Sequence, residues 1–269
     1  MSTGIRTVST IRFESDRRTH DVDSVVVEEP LEIRLGEEPV VVTMRTPGHD
    51  AELALGFLIT EGVVRDPDAV LAVASCPDDP NVVEVRVDLE GPGIETPRPR
   101  RFYAASSCGV CGKESIAALR VRAHPLRRVD APVQRSVLSS LPSRLRQRQE
   151  LFDATGALHA AGLFDLSGEL LCAREDVGRH NAVDKVIGWA AARDLVPLHG
   201  SVLLVSGRAS FEIVQKAWVA GIPIVAAVSG PSSLAVELAQ EAGLTLIAFL
   251  RDGQMNVYSE ERRVEVTDS

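Results

Sequence analysis

The chain has 269 residues, 45% of them hydrophobic and 25% charged, enough for one large domain or two modest ones with a real core. Its 29 lysines and arginines stand against 38 aspartates and glutamates, and the net charge of −9 argues against broad nucleic-acid binding while leaving room for a local basic pocket. The opening MSTGIRTVSTIRFESDRRTHD has no apolar run long enough for a secretion signal, and no stretch approaches the ~18 apolar residues of a membrane span. The expected location is therefore the cytoplasm, and neither nucleic acid nor membrane is an expected partner.

The first hundred residues read as strand-rich. LEIRL (31–35) alternates apolar and polar, GEEP follows as a turn, and VVVTMRT (40–46) returns, which predicts a hairpin. DAELALGFLITEG (50–62) has a helical apolar period, with Asp50 as the expected N-cap and Gly62 as the C-cap. VVEVRVDLE (82–90) is another alternating strand, and GPGIETPRPR (91–100) must be a loop. KESIAALRVRA (113–123) has helical composition. From about residue 150 strands and helices alternate. Residues 203–253 read as strand, turn, helix, strand, turn, helix, strand, the pattern of a parallel sheet with covering helices. Residues 1–125 are accordingly expected to form a strand-rich domain and residues 126–269 an α/β domain.

Four groups of residues invite chemistry. SSCGVCGKES (106–115) places Cys108 and Cys111 on a glycine-rich loop before a helix, with Arg98, Arg100, Arg101 and Lys113 near in sequence. Cations and a helix N-terminus both favour thiolate over thiol. That spacing serves dithiol redox exchange, metal ligation or sulfur carriage. Redox exchange lacks its usual frame, because thioredoxin-like motifs sit early in a small βαβ domain. A zinc site needs ligands that no second cysteine pair supplies and that His124 alone does not complete, so no protein-bound zinc is expected. A carrier thiolate, by contrast, holds sulfur as a persulfide, and a second thiol three residues away can release it by ordinary exchange.

The turns SGRAS (206–210) and SGPSS (229–233) each follow a strand and precede a helix. Such turns suit an anion, phosphate above all, although serine and glycine are also good turn and cap residues. A third strand follows and ends in FLRDGQ (249–254), and the set points toward a nucleotide-like ligand held by Ser206, Gly207, Arg208 and Ser229. EDVGRHNAVDKVIG (175–188) packs polar residues around a helix start, with His180 and Asp184 on one face. It reads either as a ligand-orienting site that includes His180 or as a capped helix with surface ion pairs. Cys76 and Cys172 are expected to be buried and inert, and His49 and His159 to have ordinary roles.

Together, EPVVVTMRTPGHDAELALGFLITEG (38–62), SSCGVCGKESI (106–116), EDVGRHNAVDKVIG, residues 206–239 and FLRDGQMNVY (249–258) resemble the formate dehydrogenase accessory sulfurtransferase family, FdhD. The resemblance implies a sulfurtransferase of the persulfide-carrier type. Such a protein takes sulfur from a cysteine desulfurase and passes it to the molybdenum cofactor before that cofactor enters the catalytic subunit of formate dehydrogenase. It implies that Cys108 is the active cysteine and Cys111 its companion. It also implies that Phe249, Leu250, Arg251, Asp252, Gly253 and Gln254 bind the bis-molybdopterin guanine dinucleotide form, for which GDP is an analogue. The implied fold of the second half is similar to cytidine deaminases, an α/β/α layer structure, without their chemistry, since the H-x-E and P-C-x-x-C zinc pattern is absent. A homodimer is the expected assembly. A CxxC dithiol–disulfide redox protein is the alternative.

Overall fold

The computed structural model describes residues 4–88, the backbone of 102–103, residue 126, and residues 132–265. The chain opens with a long antiparallel ribbon, β1 (Ile5–Glu14) and β2 (Arg17–Val26), in which Phe13 at the tip is 71% exposed. The predicted hairpin follows as β3 (Glu29–Leu35) and β4 (Glu38–Arg45), turning through Gly36 at φ 58. Next come α1 (Asp50–Thr60), β5 (Val70–Ser75), β6 (Val82–Val87) and β7 (Phe102–Tyr103). The sheet order is β5-β6-β3-β4-β7. Leu31, Ile33 and Leu35 alternate inward from β3 and meet Leu53, Leu58 and Ile59 of α1, forming the core of this half.

α1 departs from expectation at its start. His49, at φ 59, is the capping residue, and Asp50 is already helical, its carboxylate turned to Arg45 at 3.0 and 3.1 Å. The strong Arg45 pairing outcompetes the weaker cap bond that a free aspartate makes. Gly62, at φ 73, does take the left-handed position at the other end.

The second half runs β8 (Val133–Gln134), α2 (Arg135–Arg146), α3 (Glu150–Thr155), β9 (His159–Asp165), β10 (Leu170–Asp176), α4 (Arg179–Ala191), β11 (Ser201–Val205), α5 (Phe211–Val219), β12 (Ile224–Ala227), α6 (Ser233–Ala242), β13 (Thr245–Arg251), β14 (Gln254–Ser259) and β15 (Val264–Glu265). Six strands form one sheet in the order β10-β9-β11-β12-β13-β14, with β11, β12 and β13 parallel. β15 pairs with β8 apart from it. Alternation sorts the strand residues into two cores. Leu203, Val205, Val225 and Leu246 meet α4, α5 and α6 on one face, and Val202, Leu204, Ile224 and Ile247 meet Leu138, Leu141 and Leu145 of α2 on the other. The fold is thus α/β with an α/β/α-layered second half. Among the described residues no helix is long and apolar enough to cross a membrane. The boundary expected at 125/126 lies where only Leu126 is described.

The two halves meet at α1 and α4 with almost nothing between their backbones. A Cβ added to Gly56 would stand 1.9 Å from the Asp184 carbonyl oxygen, and one added to Gly188 would stand 1.8 Å from that of Glu52. Only glycine permits that approach. Around the contact lies a seam of buried charge. Lys216 reaches Asp184 (2.9 Å), Glu61 (3.2 Å) and the Thr60 hydroxyl (2.9 Å). Lys185 donates to Asp176 (2.7 Å) and to the Thr46 carbonyl (2.9 Å). Arg174 grips Glu52 with two bonds, and Arg45, only 2% exposed, holds Asp50, Glu29 and Asn81. The surface ion pairs considered for residues 175–188 are therefore not on the surface. Lys185 pairs with Asp176 inside the stretch, and the other partners come from the first half of the chain and from α5.

Candidate functional site

β10 is antiparallel to β9, and β9 is antiparallel to β11. β10 consequently runs in the same direction as β11, β12 and β13, and all four carboxyl ends lie along one edge of the sheet. α4, α5 and α6 begin there, directly after β10, β11 and β12. Ligands of open α/β sheets bind at such an edge.

Hydrogen bonds zip the two serine–glycine turns together. Ser229 N donates to the Gly207 carbonyl (3.3 Å), Ala209 N to that of Gly230 (3.3 Å) and Ser232 N to that of Ala209 (3.0 Å). Ala209 and Pro231 form a parallel bridge. Phe249 N then donates to the Ser229 carbonyl at 3.1 Å, which brings the third segment into the same cluster. The three stretches singled out in the sequence therefore converge on one edge.

Individual residues divide by what their side chains can still do. Ser206 is tied to β9, its hydroxyl accepting from Ala160 N at 2.9 Å and its own N donating to the Ala160 carbonyl. Gly207 faces the imidazole of His159 so closely that a Cβ would stand 3.3 Å from Nδ1. Arg208 is exposed on its turn. Ser232 caps α6 through Ala235 N, whereas the Ser210 hydroxyl lies 3.3 Å from Nε2 of His180. His180 is buried against α5, with Glu212 3.7 Å away, so its ring braces the starts of α4 and α5. His180 and Asp184 do share a face, since both look toward α5.

Phe249 has φ 53, a strained conformation for a bulky residue, at a break in the β13–β14 register. Its ring covers Gly230, where a Cβ would meet it at 2.9 Å, and stays 38% exposed at the edge. Leu250 points the other way, wholly buried against α2, so only its backbone faces the edge. FLRDGQ holds the end of β13, as expected, and also the turn of a hairpin into β14. Asp252 (φ 52) and Gly253 (φ 74) form its tight turn, and Arg251 pairs with Gln254. Arg251, Asp252, Gly253 and Gln254 are all exposed.

Two further residues stand in this cluster: His159, for which the sequence suggested only an ordinary role, and Arg179, one of the polar residues of the 175–188 stretch. His159 opens β9 between the starts of α4 and α5, and Arg179 is the first residue of α4. Burial lowers the His159 pKa, and the nearby Arg179 and Arg208 lower it further against a weaker pull from Asp176. The ring is therefore neutral at pH 7. The available signal was Arg179's place beside a strand end, once β10 is aligned with β11.

Other expected residues lie elsewhere. Cys108 and Cys111, with Arg98, Arg100, Arg101, Lys113 and His124, fall outside the described residues, as do the loop at 91–100 and the helix expected at 113–123. A cavity of about 450 Å³ borders the outer side of β10, lined by His49, Arg148, Cys172, Arg174 and Trp189. Burial pushes the Cys172 thiol up to about 12, so it is inert at neutral pH, as expected. Cys76 is only half-buried, because β5 is an edge strand and the loop after it is open. Among the described residues no group of three or more metal-ligating side chains is gathered.

A family model for the FdhD/NarQ family matches residues 26–265. The chain is 52% identical over 250 residues to a sulfur carrier protein FdhD of Mycolicibacterium paratuberculosis, covering 90% of this chain and 92% of that protein. It is 43% identical over 262 residues to one of Sulfolobus acidocaldarius, covering 97% and 99%. Its fold matches a solved structure from Desulfotalea psychrophila, named as a formate dehydrogenase accessory protein, with TM-score 0.78 and 26% identity over 97% of this chain and 99% of that one.

Proposed function

The chain belongs to the FdhD/NarQ family, and from that premise we propose that it is a sulfur carrier serving the maturation of formate dehydrogenase. The Cys108 thiolate attacks the outer sulfur of a cysteine desulfurase persulfide. A Cys108 persulfide forms, and the donor's own thiolate leaves. The acceptor substrate is the molybdenum cofactor carrying two guanine nucleotides. Delivery follows when Cys111 attacks the inner sulfur. The Cys108–Cys111 disulfide forms, hydrosulfide leaves toward the acceptor, and a thiol reductant later restores both cysteines.

The observation that carries the binding half is the convergence of 206–210, 229–233 and 249–254 on one sheet edge, joined by backbone hydrogen bonds. There the exposed Phe249 ring offers a stacking face for a base. The backbone of Ser206, Gly207, Ser229 and Leu250, the side chains of Arg208, Arg251 and Gln254, and the turn Asp252–Gly253 offer polar contacts. His180 holds the frame behind them.

Intact mass after incubation with a cysteine desulfurase and cysteine tests the carrier half. One reducible sulfur should be gained by the wild type and none by Cys108→Ala. Normal loading of that variant removes Cys108 as the acceptor. Cys111→Ala should load but deliver poorly. Rapid catalytic reduction of insulin by the wild type would favour the dithiol redox alternative instead.

A further inference from the structure

We propose that Arg179 and Arg208 form a two-armed clamp for a diphosphate, with the His159 ring as its floor. The ligand class is a nucleoside diphosphate, free or as the end of a larger cofactor. This deepens the nucleotide site proposed above and rests on that reading only for the guanine, since the clamp reads phosphate alone.

Two arginines at the sheet edge stand without partners among the described residues. Arg45, Arg174, Lys185 and Lys216 each contact a carboxylate within 3.0 Å. No hydrogen bond or ion pair reaches the guanidinium of Arg179 or Arg208 among the described residues, and Nε of Arg179 is enclosed with no acceptor. An enclosed donor without a partner is costly and uncommon in native proteins. The obvious acid, Asp176, is 0% exposed and already taken. Its two oxygens accept from Thr46 N, Gly178 N, the Asn181 amide and Lys185. Arg179 is thus held at the edge with its natural neighbour spoken for.

Topology sets the spacing of the arms. Arg179 follows β10 and Arg208 follows β11, and β9 lies between those strands with His159 at its first position. Strands two apart are separated by roughly 10 Å, a gap that two arginine side chains can span with one guanidinium on each phosphate of a diphosphate. A Cβ on Gly207 would stand 3.3 Å from Nδ1 of His159, so glycine lets the turn pack close to the ring, and Arg208 is near enough to act on it electrostatically. The neutral state of that ring leaves both guanidinium charges to the ligand.

Calorimetric titration of the full chain with pyrophosphate, orthophosphate, GDP and guanosine tests the clamp. The wild type should bind pyrophosphate at least tenfold more tightly than orthophosphate, and GDP more tightly than guanosine. Arg179→Gln should weaken pyrophosphate and GDP tenfold or more and leave guanosine unchanged. Arg179→Lys, which keeps the charge but loses the fork, should fall between. Arg208→Gln alters an exposed turn side chain that cannot compromise folding, and it should weaken the same two ligands. Arg148→Gln, in the cavity on the outer side of β10, is the charge control and should change neither. Unchanged diphosphate affinity in both Arg179→Gln and Arg208→Gln overturns the proposal. So does an equal loss in Arg148→Gln, or a wild type that binds neither pyrophosphate nor GDP. Clamp-dependent binding of pyrophosphate without any binding of GDP upholds the clamp and removes the guanine reading instead.

Discussion

Along the body of α4 the buried lysines and carboxylates are matched, while at its first turn Arg179 has no hydrogen-bond or ion-pair partner among the described residues. Lys185 and Asp176, Lys216 and Asp184, and Arg174 and Glu52 are paired within the seam where the two halves meet, the last of them across it. A few residues away, at the sheet edge, Arg179 and Arg208 flank a neutral histidine, and no carboxylate among the described residues pairs with either. Charges inside a protein are tolerated when paired and hydrogen-bonded. The matched set therefore belongs to architecture. The unmatched set is kept for something that arrives from solution.

The most severe way to break this contrast is to cut the seam. Lys216→Met strands Asp184 in a nearly water-free site and should destabilise the protein by about 3–5 kcal/mol. Adding Asp184→Leu should recover much of that loss, which denaturant melts of the single and double variants would show. If the single variant melts like wild type, the seam is not structural. The edge should answer in the opposite sense. Arg251→Ala should weaken GDP binding about ten- to a hundredfold, or ~1.4–2.8 kcal/mol. It should leave stability within about 0.5 kcal/mol and sulfur loading of Cys108 intact. Lost loading with normal GDP binding would remove Arg251 from the nucleotide site.

The smallest expected effect sharpens the contrast through pH. Burial pushes the Asp184 carboxyl up to about 6, with Lys216 restraining the rise. A group whose pKa is raised by folding contributes stability that is present below its unfolded value and lost as pH climbs through the folded one. The stability advantage of wild type over Asp184→Asn should therefore shrink between pH 4 and pH 7. An advantage that grows over that window would mean the carboxylate is stabilised, not strained, by its site.

What the sequence could disclose follows the range of each interaction. The strand–turn–helix units after residue 200 were legible because their periodicity and turn residues are local. So were the hairpin at 31–46 and the extent of α1. The convergence of 206–210, 229–233 and 249–254 followed from parallel strands alone. The ribbon β1–β2 was missed because charged residues interrupt its alternation on both strands. The Asp252–Gly253 pair carried a hairpin signal that was read merely as a strand's end. The burial of Asp184 and Lys185 was hidden because Thr60 and Thr46 arrive from far earlier in the chain. His159 and Arg179 were hidden for a similar reason, since the antiparallel placement of β9 and β10 beside β11 has no local signature.

The contact of Gly56 with Gly188 has a thermodynamic side. Two halves with separate hydrophobic cores would ordinarily melt as two units. Here the second half's helix layer is completed by a helix from the first, backbone against backbone, with no side chain between them to rearrange. Opening either core exposes the other. The molecule should behave as one cooperative unit, with calorimetric and van't Hoff enthalpies in agreement, despite its two sheets.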